Sequence, residues 1–562
     1  MDKNTKVAFF LIALVIILYP YLMPKKPEVI KEEKPFQDEK VLEVISENQA
    51  AEQISLTGTL VSELKVDSSS VDIYTQPAEK NITIETDLYK AVVSTNGGVI
   101  KSWKIKKYKN KIDTTKIIDL IHENTKNLQT EIFLKNGNSL TNLHAEVNTD
   151  NILLDESYKS EELKLTFADN KGQTLYTQTY RFYNDKYSFD VSIDTTPIFE
   201  NIKEDEGIAV SWKEGLSYTE VSDNGKNLNR EDFYREIYVK TKGEEYLDFD
   251  DNDDPEKITG LIEWGATRTK YFEVFIFDKE NNFDAFINYP STADKSELYT
   301  GMGFSVFLDK KSTPVKNFHV YLGPMDNSIL KSYDLEFEST LNWGWSIIKP
   351  FSLAIYYTLT FLHRYISNYG IVIILLSLLV NTLVLPFTLK SYKSQAQMKK
   401  IQPYIKDLKE KYKGDAQKQQ QETMALYKKH GVNPFGSCLP TLIPMPILYG
   451  MFIVFGATIE FRGAEFMWWI TDLSLPEIMF TLPFSIPMYG ANVGLLPILM
   501  AVTMFMQMKD TMGADPNQKM MKYFMPIFLL VLFNNFASGL ILYYTIGNVF
   551  RMVQQKFIKS DK

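Results

Sequence analysis

Hydrophobic residues change their spacing midway along this chain. From Asn81 to about residue 340 they recur at every second position in short stretches: Ile82 and Ile84; Phe182, then Tyr187, Phe189 and Val191; Phe272, Val274, Ile276 and its neighbour Phe277; Phe318, Val320 and Leu322. A period of two sends successive side chains to opposite faces of a strand. Asn96-Gly97-Gly98, Asn170-Lys171-Gly172 and Asn224-Gly225-Lys226 supply the tight turns between such strands. The expectation for 81–340 is an all-β antiparallel sandwich, large enough to bury its own core.

Beyond Leu341 the alternation gives way to long apolar blocks separated by charge. Ser346 to Ile366 carries Tyr356, Tyr357, His363 and Arg364, too polar for a comfortable span, so the segment 341–369 predicts an amphipathic helix lying along the membrane surface. Gly370 to Leu389 has the length and apolarity of a full span. Further spans are expected over about 439–461, 494–508, 520–535 and 539–557. The last two come from dividing the block Tyr523–Phe557, whose 35 residues would run about 52 Å as one helix, at Asn534, Asn535, Ser538 and Gly539. Between the first two of these spans, 390–437 reads as a helical hairpin. Ile401, Ile405, Leu408 and Tyr412 share one face, Gly414 and Asp415 turn the chain, and Met424 and Tyr427 lie on the return helix.

Charge orients these blocks. Lys390 to Lys429 holds eleven lysines against four acidic residues, and a loop so basic stays on the cytoplasmic face. Near the start, Val7 to Met23 is apolar between lysine pairs, without a small-residue cleavage pattern or a cysteine to lipidate. Residues 1–23 therefore favour an uncleaved transmembrane anchor over a signal peptide, and the polar 24–80 reads as a flexible tether. The expected total is six transmembrane helices, with both termini cytoplasmic and the sandwich outside.

The mean hydropathy of -0.18 and net charge of -9 average over these unlike halves. The acidity lies mainly in the first, and no basic patch outside the membrane-flanking loops invites nucleic acid. The single Cys438 excludes an intrachain disulfide and a thiolate cluster. His122, His144 and His319 show no metal-ligand spacing. The run Asp248, Asp250, Asp251, Asp253, Asp254 lacks the glycine and closing glutamate of a calcium loop, which favours a solvated turn. Trp103, Trp212 and Trp264 suit a sugar site, although core packing is the commoner fate of such residues. No phosphate loop, zinc-type HExxH or GxSxG elbow occurs, so neither an enzyme nor a cofactor is expected.

Candidate chemistry therefore lies with polar residues at membrane depth: Ser377, Asn381, Thr382, Thr441, Thr503, Gln507, Asn534, Asn535, Tyr544 and Asn548. Ser and Thr in spans commonly just join helices. Asparagine is costlier to bury, and four of them suggest a hydrated internal surface.

VNPFGSCLPTLIPMPILYGMF at 432–452, preceded by Ala425-Leu426-Tyr427-Lys428, resembles the signature of the YidC family of membrane protein insertases. So do Asn342-Trp343-Gly344-Trp345, Gln402-Pro403, Leu473 after Trp469 and Asp472, and the run Ser538 to Tyr544. The resemblance covers 341–558, and the extra anchor and outer domain are similar to the Gram-negative form, whose periplasmic domain is a β-super-sandwich. It implies an inner-membrane chaperone that inserts nascent membrane proteins through a hydrophilic groove formed by five spans. No ATP hydrolysis is implied, and the Sec translocon, the ribosome and membrane lipids are the implied partners. Gln402, Pro403, Tyr427 and Lys428 would mark the cytoplasmic hairpin that receives substrate. In this alignment Asn381 stands where a groove arginine is usual, and no Arg or Lys occurs between Tyr365 and Leu389, so the groove is expected to be polar but neutral. A polytopic transporter with a periplasmic sensing domain is the competing class, but it predicts repeated halves and midplane charge.

Overall fold

The computed structural model describes residues 78–560, apart from 110–116, 124, 126, 206, 221–230, 251–252, 291–297, 309–312, 432–444 and 512–515. The expected anchor, nearly all of the tether, the turn at 224–226 and Thr441 lie outside the described residues.

Among the described residues, nineteen strands between Asn81 and Pro324 are hydrogen-bonded into one continuous sheet. Alternation does what the sequence pattern requires: along Thr174–Tyr183, Tyr176, Gln178, Tyr180 and Phe182 point inward while their neighbours are less buried. Some strands depart from alternation. Ile208–Trp212, Phe272–Phe277 and Gly303–Leu308 are buried at every position, so both of their faces are covered. Pairing is antiparallel throughout with one correction to the expectation, because Thr83–Glu85 runs parallel to Asn151–Leu153. The turn at Asn96-Gly97-Gly98 forms as expected, with Gly97 and Gly98 at φ 74° and 70°. Tyr180 donates its hydroxyl to the Gly98 carbonyl at 2.5 Å. Trp103, Trp212 and Trp264 are fully buried, which makes them core residues rather than a sugar platform.

The helical part begins with α1 (Lys349–His363), which buries Ser352, Ile355, Tyr356 and Leu359 on one face. Next comes α2 (Tyr369–Lys411), opened by the Asn368 side chain accepting from the Ile371 amide. Its 43 residues extend about 64 Å, twice the roughly 30 Å of a bilayer core. The first expected span and the first arm of the hairpin are therefore one helix, and the boundary expected at 389/390 is not a structural one. Within α2, Tyr369–Leu389 is long and apolar enough to cross a membrane. The return arm, α3 (Ala416–Lys429), is capped by Asp415 and packs Leu426 and Tyr427 against Ile401 and Ile405. Met424, on the same helix, is exposed.

Four more helices follow: α4 (Met445–Ala457), α5 (Leu495–Thr511), α6 (Pro516–Phe533) and α7 (Ser538–Ser560). The apolar portions of α5 and α6 are Leu495–Lys509 and Met520–Phe533. Each runs about 21–23 Å, less than a full bilayer core. Sandwich and helices share one body. The Arg462 guanidinium, just beyond α4, donates to Glu220 at 2.6 Å and to the Lys109 carbonyl at 3.1 Å, both in the sandwich.

Candidate functional site

The polar residues of α2, α5 and α7 meet where these helices pack. Ser377 on α2 donates to the Tyr543 carbonyl of α7 at 3.1 Å. One turn on, the Asn381 amide donates to the Ser377 carbonyl at 2.7 Å. Its oxygen accepts from Nη1 of Arg551 on α7 at 3.0 Å, while Nη2 of the same guanidinium donates to Asn548 Oδ1 at 2.7 Å. Asn548 in turn donates to the Met500 carbonyl and Thr503 Oγ1 of α5, both at 3.4 Å. One network thus links three helices, with a cation at its centre. Gly547 leaves room for it: a Cβ there would lie 3.2 Å from the Asn381 amide and 3.4 Å from Arg551 Nη1.

Four of the expected residues, Ser377, Asn381, Thr503 and Asn548, are brought together in this way. The first two and Asn548 are buried, so they back the half-buried Arg551 rather than line open space themselves. The expectation of a site without a fixed cation is corrected: the positive charge comes from α7 instead of α2. Two uncharged amides accept hydrogen bonds from the guanidinium and orient it. The signal was in the sequence. Arg551 lies three residues after Asn548 and seven after Tyr544, on one helical face, and with Lys556 is one of two basic residues in the block Tyr523–Phe557.

The other expected residues lie elsewhere. Thr382 is exposed and bonds back to the Leu378 carbonyl at 2.8 Å. Gln507 sits one turn beyond Thr503 on α5. Tyr544 packs its ring 5.4 Å from that of Phe533. Asn534 and Asn535 occupy the turn between α6 and α7, and their amides hold a different element. Asn534 donates to the carbonyls of Tyr489 and Asn492 at 3.2 and 2.6 Å and accepts from Gly494 at 3.2 Å. Asn535 donates to the Tyr489 carbonyl at 3.2 Å. On the hairpin, Gln402 and Pro403 lie on α2, and Tyr427 packs inward on α3 while Lys428 is exposed. No group of His, Cys, Asp and Glu that would hold a metal occurs among the described residues.

Burial perturbs two carboxyl groups of the sandwich. Burial, reinforced by the neighbouring Glu220 carboxylate, pushes Glu231 up to about 7, although it accepts hydrogen bonds from Thr219 and Glu220. Burial likewise raises Glu273 to about 8 against the opposing attraction of Arg268.

Two family models match. That of the 60Kd inner membrane protein covers residues 361–562, and that of the YidC periplasmic domain covers 81–353. The membrane protein insertase YidC of Chloroherpeton thalassium is 33% identical over 589 residues, spanning 100% of this chain and 96% of its own. That of Chlorobaculum parvum is 31% identical over 575 residues, spanning 100% and 95%. Among solved structures, an active YidC insertase with its first transmembrane domain resolved shares 19% identity at a TM-score of 0.38, covering 86% of this chain and 94% of that one. A galactose mutarotase-like protein from Lactobacillus casei aligns with 43% of this chain at a TM-score of 0.28 and 9% identity.

Proposed function

The chain belongs to the YidC family of membrane protein insertases, which are not enzymes, and from that membership we propose that it passes polar substrate segments across the inner membrane through a groove centred on Arg551. The observation that carries this reading is the Ser377–Asn381–Arg551–Asn548 network set among apolar helices. A charged side chain at the centre of a bilayer costs about 2.5–3.5 kcal/mol on insertion scales. A substrate terminus loses several kcal/mol more for each polar group that enters hydrocarbon unsatisfied. An oriented guanidinium and the amides around it lower both penalties for an incoming carboxylate, and the apolar substrate helix then moves outward into lipid, where its burial drives the process without ATP.

In this reading residues 1–23 and the apolar parts of α2, α4, α5, α6 and α7 are six spans, with both termini cytoplasmic and the sandwich periplasmic. The short apolar portions of α5 and α6 thin the bilayer locally and shorten the crossing. The lysine-rich hairpin of α2 and α3 receives nascent chains or ribosomes, acting alone or beside the Sec translocon.

The test is insertion of small two-span inner-membrane proteins into proteoliposomes holding the purified chain, read by protection from added protease. Unchanged insertion with and without the chain would sink the insertase reading. A substrate tail with added acidic residues is expected to insert better, and Arg551→Gln to abolish that gain; an equal gain in both proteins would remove Arg551 from the groove.

A further inference from the structure

Between Trp469 and α5 the chain forms a two-stranded hairpin, Phe480–Ile486 paired with Gly490–Val493. Nearly every position of its first strand is exposed. Ile478, Phe480, Phe484 and Met488 are 52%, 54%, 61% and 78% exposed, although a soluble loop would carry polar residues there. From Ile478 to Met508, through the hairpin and on to near the end of α5, no Asp, Glu, Lys, Arg or His occurs.

The hairpin is nevertheless held firmly at its base. Glu477 accepts from the Leu496 amide at 2.6 Å and from the Trp469 indole. The Met479 amide bonds to the Val493 carbonyl at 2.9 Å. Asn534 and Asn535 grip the Tyr489–Gly494 segment from the α6–α7 turn.

We propose that this hairpin is seated in the outer-leaflet interface of the bilayer beside α5, as a fixed lipid-facing wedge on the sandwich side of the helices. The charge-free run joins it without interruption to α5, whose Leu499, Val502 and Met506 are exposed in the same way. Trp468, 82% exposed and stacked on Trp469, has the amphipathic ring that prefers the headgroup level. Pro483 and Pro487 each remove a backbone donor, which disfavours an added peptide strand and lowers the cost of placing an open sheet edge near lipid. The remaining unpaired backbone groups keep the hairpin at the interface, because in the hydrocarbon centre they would have no partners.

The proposal rests on α5 spanning the membrane, so the experiment carries an internal reference for that premise. In full-length protein with Cys438→Ser, single cysteines at Phe484→Cys, Met488→Cys and Val502→Cys are labelled with an environment-sensitive fluorophore and reconstituted into vesicles whose lipids bear a quencher at a shallow or a deep acyl position. A label at 484 or 488 should show blue-shifted emission that the shallow quencher reduces more than the deep one, and the label at 502 should be quenched as well. Quenching at 502 with water-like, unquenched emission at both 484 and 488 overturns the hairpin assignment alone. An unquenched label at 502 overturns the span and the hairpin together. Water-like emission at 484 that shifts only when an extended apolar peptide is added overturns lipid seating in favour of protein docking. Two exposed hairpin positions are used so that a folding defect in one variant does not decide the outcome.

Discussion

Replacing Arg462 by alanine takes from Glu220 its ionic partner inside the junction between sandwich and helices. The two side chains are 3% and 1% exposed and meet at 2.6 Å, so solvent neither screens the pair nor substitutes for it. Removing one member of a buried pair costs about 3–5 kcal/mol, because the remaining charge stays desolvated. The bond from Nη1 to the Lys109 carbonyl adds about 1 kcal/mol. Since the contact joins the sandwich to the helices, this energy is felt at their junction. Opening of the junction should become about 10³–10⁴-fold more frequent, at 1.4 kcal/mol per decade. Hydrogen exchange of the Thr219 and Glu220 amides, which donate to Glu231 at 2.7 and 2.8 Å, reads it directly. The double replacement Arg462→Met with Glu220→Gln removes both charges and should recover most of the lost protection, since an uncharged pair of similar volume is often tolerated. Equal protection in the wild type and in Arg462→Ala would refute the reasoning.

Two further outcomes follow from buried groups with defined partners. Asn534→Ala takes a partner from the Gly494 amide and the Asn492 carbonyl, while the Tyr489 carbonyl keeps Asn535, at about 1–3 kcal/mol for a buried group left unsatisfied, so exchange across 490–493 should accelerate far more than in the exposed Asn535→Ala; equal effects would show that the clamp does not hold the hairpin. Glu273 titrates at about 8 in the folded chain against an ordinary glutamate value of 4.5. The folded state therefore retains a proton that the unfolded chain has released, and stability is full below 4.5, falls by about 1.4 kcal/mol per pH unit through the window to 8, and is level above it. Denaturant midpoints of the full chain from pH 5 to 8 should lose that contribution to the slope in Glu273→Gln, and an unchanged slope would contradict the assignment.

Period-two spacing made the sandwich legible because a strand must choose a face for every residue. It named Phe272, Val274, Ile276 and the neighbouring Phe277 but not Phe275, which a second covering layer also buries. The change from apolar to lysine-rich composition after Leu389 resembled the end of an element. It is not one, because the backbone hydrogen bonds that continue α2 to Lys411 do not depend on whether the side chains face lipid or water, and Pro386 and Pro403 are accommodated within the helix. Composition reports the solvent around a helix, and only the caps report its ends.

The asparagines show where a single sequence stops being informative about a site. Asn381, Asn548, Asn534 and Asn535 are alike in type and in apolar surroundings, so all four read as one hydrated surface. Their roles divide according to partners that are distant in the chain: Arg551 lies 170 residues from Asn381, and Tyr489 lies 45 from Asn534. One pair orients a cation, and the other fixes a lipid-facing hairpin. Had the groove been built on a basic residue of α2, Asn381 would have had no amide role and Arg551 would have been a second, repelling charge beside it. An asparagine at 381 and an arginine at 551 are thus a single solution: the amide accepts the guanidinium hydrogen bond that a second cation would refuse. Replacing Asn381 by arginine while keeping Arg551 should therefore impair the site more than Asn381→Ala does, and pairing it with Arg551→Thr should recover insertion of acidic tails. A single Asn381→Arg variant as active as the wild type would show that the two positions act independently.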